Sequence, residues 1–412
     1  MDTEIVSRPG GVCAAKGFRA SALSCGIKDP SSSKLDLALI WSRTPAVGAA
    51  VFTQNRVKAA PVQLSANYLR SDDPQAIIVN SGNANACTGP SGMEHARQMA
   101  DAAAKALGIR RRQVMVGSTG IIGVPLPIDR ILPRIPELVQ ADKSKDCRQA
   151  AEAIMTSDTV PKSAAVEITI GGKKVRLGAI AKGAGMINPN MATMLCFITT
   201  DVCISKAELQ RATREAADLS FNRITIDGDM STNDTVVVLA NCRAENRRIT
   251  ARGRGSRQFR DALTALMVRM AGKIVADGER VTKLVEVRVN GAASQRDAER
   301  VARAVANSSL VKCSWNGNDP NWGRIIHAVG YSGARVKPEL VDIYFDGLCA
   351  ARHGIVNQNG NSFKELERIV AKRKFTVGIE LNQGRADYNI YTSDLSPEYV
   401  DYNRREYIAP AK

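Results

Sequence analysis

Near the middle of the chain, Lys182-Gly-Ala-Gly-Met-Ile-Asn-Pro-Asn-Met-Ala-Thr193 runs directly into Met-Leu-Cys-Phe-Ile-Thr-Thr200. The glycines and the Asn-Pro pair predict a bent, closely packed backbone. The apolar run 194–198 predicts a buried strand. Between the two, Ala192-Thr193 puts a hydroxyl after a small residue at the mouth of that strand. A glycine turn feeding a core strand accounts for this pattern; so does a turn that aims a threonine nucleophile. The second reading needs a base, and histidine is scarce. Only His95, His327 and His353 are present, the first on a predicted helix and the second in an apolar segment, so a Ser-His-Asp or Cys-His mechanism is poorly supported. A threonine at a chain terminus needs no histidine, because its own α-amine, with a pKa of about 8, serves as the base. Thr193 gains that amine only if the bond after Ala192 is cut. Attack of its hydroxyl on the Ala192 carbonyl would give an ester that water hydrolyses.

A second chemical candidate is the strand 113–116 ending in Gly117-Ser-Thr-Gly-Ile-Ile-Gly123. A strand that runs into a Gly/Ser/Thr turn exposes N–H groups suited to an anion or oxyanion. Neither a P-loop nor a Gly-x-Ser-x-Gly elbow is present there. The nine cysteines are scattered with no Cys-x-x-Cys pair, which predicts reduced thiols in a cytosol and no zinc site. Asp227, Asp229, Asn233 and Asp234 have a spacing faintly like a calcium loop but lack its twelfth-position glutamate, so no metal is expected. The net charge is +16, yet the densest basic stretch, from Arg243 to Arg260, contains a single aromatic, Phe259. It offers no base-stacking platform and reads as solvated surface, not a nucleic-acid site. No apolar run reaches the length of a membrane span, and the first residues carry no signal-peptide pattern, so a cytoplasmic protein is expected.

With 412 residues and 44% apolar but only 5% aromatic content, the core must be built from Ala, Val, Ile and Leu. Strands are predicted at 35–41, 47–52, 76–80, 113–116, 194–198, 235–240, 281–289, 341–345 and 375–381, and a hairpin at 164–170 and 174–180 around Gly171-Gly172. Helices are predicted at 93–107 with a stop at Gly108, at 145–155, from the capping box Ser205-Lys-Ala-Glu208 to 219, and at 256–276, 296–307 and 363–371. Short helical pieces interrupted by Pro133 and Pro136 fill 128–140. Asn290-Gly291 is expected to be a turn, and 316–324 to open a short helix. The mixture predicts an α/β or α+β fold with layered sheets and outer helices. A seam near 192 divides the chain almost in half.

The stretch 182–195 is very similar to the self-cleavage motif of the ornithine acetyltransferase family, the ArgJ proteins of arginine biosynthesis. Asn80-Ser-Gly-Asn-Ala-Asn-Ala-Cys-Thr-Gly89, Ser118-Thr-Gly-Ile-Ile-Gly123, 221–234 and Asp319-Pro-Asn-Trp-Gly-Arg324 resemble further family signatures in the family's order. The resemblance implies two stacked β-sheets between helix layers, like the N-terminal-nucleophile hydrolases and DmpA. It implies an N-terminal chain 1–192 and a C-terminal chain 193–412, associated as a heterotetramer. It implies ping-pong transfer of acetyl from N-acetylornithine to glutamate through an acetyl-Thr193 ester, with no cofactor and with acetyl-CoA as a possible second donor. Thr193 matches the nucleophile, Ala192 the residue before the cut, and Thr119 and Gly120 the oxyanion pair. Thr156, Lys182, Thr193, Glu279 and Asn403 match substrate-binding positions. An aminopeptidase or amide hydrolase using the same nucleophile is the first alternative, and a basic nucleic-acid-binding protein that kept the fold the second. Two stretches depart from the family pattern. Gly278-Glu-Arg-Val-Thr-Lys283 stands where Gly-Glu-Gly-Ala-Thr-Lys is usual, and beyond Asn403 Ile408 or Ala409 replaces an expected hydroxyl. Either the C-terminus closes the pocket differently, or the preferred acyl donor or acceptor has shifted.

Overall fold

The computed structural model describes residues 3–141, 147–188, 194–357 and 363–405. The chain forms two compact units, one of 1–222 with 229–274, the other of 223–228 with 275–412.

The first unit holds two sheets. A six-stranded sheet is built from β1 (Val6–Arg8), β4 (Val47–Phe52), β7 (Lys162–Ile170), β8 (Lys173–Lys182), β9 (Leu195–Thr200) and β10 (Thr235–Ala240), in the order β1-β7-β8-β9-β10-β4. A four-stranded sheet runs β2 (Phe18–Leu23), β3 (Leu37–Ser42), β5 (Ala76–Asn80), β6 (Val114–Ser118). The period-two alternation of the small sheet explains how it buries both faces. Ala38, Ile40, Ile77, Val79 and Met115 meet Ile180, Leu195, Phe197, Val237 and Leu239 of the large sheet. Their neighbours Leu37, Leu39, Ile78, Val114 and Val116 face outward to α1 (Ala60–Ser71), α2 (Gly89–Leu107), α3 (Ile128–Ile131) and α4 (Ile135–Gln140). The short α5 (Arg148–Ala153) adds Ala150, Ala151 and Ala153 to the layer between the sheets.

On the far side of the large sheet, Cys196, Ile198, Val236 and Val238 are fully buried or nearly so. There α6 (Lys206–Asp218) is bonded to the edge strand β4, the Gln210 amide donating to Ala50 O (2.9 Å) and accepting from Ala50 N (3.1 Å). Such pairing closes an otherwise open sheet edge. The long α7 (Arg254–Ala276) reaches β1 and β7 through Arg269–Ser7 (2.7 Å) and Gln258–Thr169 (3.3 Å). Two stacked sheets between helix layers are thus the architecture of this unit, as expected.

The second unit adds a third sheet, absent from that expectation. Its strands are β11 (Leu284–Ala292), β12 (Asp342–Phe345), β13 (Leu348–Arg352), β14 (Ile355–Val356), β15 (Lys374–Glu380) and β16 (Ala386–Ser393), ordered β14-β13-β12-β15-β11-β16. Val285, Val287, Val289, Val377, Ile379 and Ile390 form its core with Val301 and Val305 of α8 (Gln295–Asn307), Trp315 of α9 (Ser309–Asn316), Ile325 of α10 (Trp322–Gly330) and Val370 of α11 (Phe363–Val370). A final helix, α12, covers Pro397–Arg405.

Local signals held in detail. Gly171 (φ 56°) and Gly172 (φ 77°) make the two-residue turn between β7 and β8, with both positions in the left-handed region that a type I′ turn demands. Ser205 caps α6 by accepting from Glu208 N (3.3 Å), although the Glu208 side chain turns to Arg211 and Ser256. Two expectations fail. Asn290-Gly291 is no turn; it lies inside β11, where the register with β16 shifts between Val289 and Ala292. The thiols are not all reduced, since Cys203 and Cys242 form a disulfide with Cα atoms 3.8 Å apart. Parallel β9 and β10 pair Thr200 with Ala240, so the residues just past the two strand ends emerge side by side. No helix among the described residues is long and apolar enough to cross a membrane.

Phe197 is fully buried between the two sheets of the first unit. Phe197→Ala is expected to cost about 3–5 kcal/mol in denaturant unfolding; a loss under about 1 kcal/mol would contradict the packing described.

Candidate active site

Strand register brings the chemical candidates to one end of the first unit. Parallel β5 and β6 end together at Asn80 and Ser118. Antiparallel β8 and β9 pair Lys182 with Leu195, and Leu195 pairs with Thr235 at the start of β10. The two sheets are tied at this end by Asn233, whose amide donates to Ala84 O (2.6 Å) and Ser118 O (2.8 Å).

The turn after β6 is fixed from below. Ser118 Oγ donates to Asn80 Oδ1 (2.6 Å), Asn80 Nδ2 donates to Asn83 O (2.9 Å), and Thr119 N donates to Asn80 O (3.0 Å). Gly120 has φ 135°, and a Cβ there would lie 2.3 Å from Gly82 C and 2.5 Å from Asn83 N. Only glycine lets these two backbone segments approach so closely.

Lys182, the last residue of β8, is 4% exposed and points its ammonium at two hydroxyls. Nζ donates to Thr119 Oγ1 (3.2 Å) and to Thr156 Oγ1 (2.6 Å). The structure therefore joins three of the sequence-predicted residues, Thr119, Thr156 and Lys182, which are separated by up to 63 positions. Beneath them lies Asp158. Its Oδ1 accepts from Lys162 Nζ (2.6 Å) and Gly183 N (2.7 Å), and its Oδ2 accepts from Thr156 N (3.0 Å). Burial pushes this carboxyl up, but the charges of Lys182 and Lys162 and the Gly183 N–H outweigh it and bring its pKa down to about 2.

A second buried carboxyl, Asp234, accepts from Met194 N (2.9 Å), the amide that links Met194 to Thr193. Burial raises it well above the usual carboxylate range, against the Met194 N–H and the charge of Lys182. Neither Asp158 nor Asp234 stands out in the sequence as a site residue. The first lies in a segment that reads only as a helix break, the second in the faint calcium-like pattern. Among the described residues no cluster of three or more His, Cys, Asp or Glu could hold a metal. Ala192 and Thr193 themselves lie outside the described residues.

Glu279 and Asn403 belong to the second unit, where Asn403 Nδ2 donates to Glu279 Oε2 (3.1 Å). The turn after Glu279 is pinned by Asp394, which accepts from Thr282 N and Lys283 N (both 2.9 Å). Arg280 adopts φ 54°, a left-handed conformation that costs a non-glycine residue roughly 1–2 kcal/mol. That is the physical sense of the glycine usual in the resembled pattern. Here the guanidinium stacks 4.8 Å from the Tyr402 ring centroid, which offsets part of the cost.

The model of the ArgJ family matches residues 19–407. The chain belongs to the ArgJ family. It is 48% identical over 388 residues to an "Arginine biosynthesis bifunctional protein ArgJ" of Geobacter sulfurreducens, covering 94% of this chain and 98% of the relative. It is also 48% identical over 396 residues to the protein of the same name from Symbiobacterium thermophilum, covering 96% and 98%. Among solved structures, a chain of the arginine biosynthesis bifunctional protein ArgJ of Bacillus halodurans is 38% identical, with a TM-score of 0.49, covering 50% of this chain and 97% of that one.

Asp158 has its pKa depressed from about 3.9 in the unfolded chain, so its contribution is present above about pH 4 and is lost as pH falls towards about 2. The stability gap between the wild type and Asp158→Asn is therefore expected to shrink by about 2 kcal/mol between pH 5 and pH 2 in urea unfolding. An equal gap at both pH values would remove the ionised carboxylate from this account. Gly120→Ala is expected to cost about 2 kcal/mol or more, because its methyl meets backbone, not a yielding side chain; unchanged thermal unfolding would contradict the close approach.

Proposed function

We propose that this ArgJ-family chain is a glutamate N-acetyltransferase of arginine biosynthesis that cuts itself between Ala192 and Thr193 and carries the acetyl group on Thr193. The observation that carries this reading is the buried Lys182–Thr119–Thr156 cluster at the end of β8, next to the segment that bears Thr193. In the mature enzyme the Thr193 α-amine takes the proton of its own hydroxyl, and Oγ1 attacks the acetyl carbonyl of N-acetylornithine. The Thr119 hydroxyl and the Gly120 N–H receive the oxyanion, a role in which each donor contributes about 10²–10³ in rate. Collapse expels ornithine, whose amine takes the proton back from the Thr193 amine. Glutamate then attacks the ester by the same steps in reverse order. Thr156 and Lys182 are the substrate contacts proposed at this end of the first unit.

The fold supports a cut without dispersal. β8 lies before the Ala192–Thr193 bond and β9 after it, yet they are neighbours in one sheet, paired from Leu177 with Thr200 to Lys182 with Leu195. The two chains, 1–192 and 193–412, would remain held by that ladder, and a heterotetramer is the assembly proposed. The relatives are named bifunctional, which supports acetyl-CoA as an additional donor to glutamate. A cytoplasmic location belongs to the same proposal.

Purified protein is expected to run as two fragments of similar size, and Thr193→Ala as one intact chain. A full-length wild-type band with full acetyl transfer would sink the N-terminal base. Loss of acetylornithine should depend on added glutamate; rapid loss unaffected by glutamate would instead indicate an amide hydrolase.

A further inference from the structure

A lysine that binds a substrate carboxylate should aim its N–H groups at open space, but Lys182 aims its ammonium at protein hydroxyls. An ammonium has three donors and no acceptor. At Lys182 one goes to Thr156 Oγ1 (2.6 Å) and one to Thr119 Oγ1 (3.2 Å). The consequence for Thr119 is directional. Its oxygen accepts from a cation that cannot accept in return, so its own hydrogen must point away from Lys182 and towards another acceptor. Thr119 is 7% exposed and Lys182 4%. In such a site the ammonium charge is poorly screened, and it draws density from Oγ1, strengthening the hydroxyl as a donor to an anion.

The lysine is itself held in place. Asp158 accepts from Gly183 N, the residue after Lys182, and from Thr156 N, the residue whose hydroxyl Lys182 grips. One carboxylate thus fixes the backbone on both sides of the contact. Lys162, whose side chain is 1% exposed, engages the same Oδ1 at 2.6 Å. Asp158 is thus shared by two ammonium groups, Lys162 through a direct contact and Lys182 through its charge.

We propose that Lys182 works through Thr119, orienting and polarising its hydroxyl as the oxyanion donor, and that Asp158 is a positioning residue that holds Lys182 and Thr156 in register for this task. This rests on the acetyl-Thr193 reading above. It changes the role of Lys182 from gripping the substrate to lowering the barrier.

A double-mutant cycle tests it, read as the single-turnover rate of Thr193 acetylation by N-acetylornithine, followed by quenched intact mass spectrometry on the self-processed fraction. Thr119→Ala and Lys182→Met should each slow acetylation about 100-fold. The double variant should be no more than about threefold slower than the slower single, and half-saturation by N-acetylornithine should move less than about threefold. Multiplied effects, near 10⁴-fold in the double variant, would overturn the proposal. So would a Lys182→Met enzyme that acetylates at the wild-type rate once saturated. If Lys182→Met yields no processed protein, Lys182→Gln and Lys182→Arg replace it in the cycle. The charged arginine should recover most of the rate that glutamine loses, and equal rates for the two would also overturn it. Failure of the wild type to form any Thr193 adduct would sink the acyl-enzyme reading; a wild-type adduct with a multiplicative cycle would sink this inference alone.

Discussion

A buried ammonium dictates the local design of this protein. Moving a charge out of water costs several kcal/mol unless hydrogen bonds and a counter-charge replace the solvent. Lys182 satisfies that requirement with the hydroxyls of Thr119 and Thr156 and the nearby carboxylate of Asp158. Those partners come from two segments far from Lys182 in the chain, 119 and 156–158, so the strand ends that bring them together cannot slip. A one-residue shift of β8 against β9 would turn Lys182 to the other face of the sheet. The close approach of Gly120 to Gly82 and Asn83, and the Asn80–Ser118 bond, serve the same fixed geometry from the other sheet.

The placement of this cluster relates stability to the proposed chemistry. The sandwich core between the sheets, rich in Ala, Val, Ile and Leu, carries no polar demands of its own. The polar groups of the site lie at one end, where β5, β6 and β8 stop. Burial raises both carboxyls there, and their partners decide the outcome. At Asp158 the two lysines outweigh burial and lower the carboxyl, whereas at Asp234 burial outweighs the Met194 N–H and the Lys182 charge and raises it. Carboxyls pushed apart in this way are a recurrent mark of functional sites. The Met194 amide that Asp234 holds fixes the start of β9 directly beside Thr193.

Much of this was legible in the residues. The apolar runs in 35–41, 76–80 and 113–116 predict buried strands; Gly171-Gly172 predicts the β7–β8 hairpin, and Gly108, at φ 67°, stops α2. Thr119 and Lys182 could be named because each sits beside glycines at a strand end, within motifs that resemble a family. Local patterns hid other features. Nothing in 60–71 alternates like a strand, so α1 follows only from Pro61 at its start, a helix-opening position easily mistaken for a break. Asn290-Gly291 has turn chemistry but forms a bulge: β11 stays paired with β15 as far as Asn290, and its pairing with β16 resumes at Ala292. Asp158 is invisible for a different reason: its value lies in Lys162, Thr156 and Gly183 meeting it in space, and no spacing rule encodes that. The Cys203–Cys242 disulfide likewise depends on the parallel register of β9 and β10.

The central claim is that Thr193 carries the acetyl group. Intact mass spectrometry of the processed protein mixed with N-acetylornithine alone, without glutamate, tests it most directly. The account predicts a single acetyl adduct on the fragment beginning at Thr193, mapping to that residue and discharged when glutamate is added. An adduct on the other fragment, or none under conditions where acetyl transfer proceeds, would contradict it.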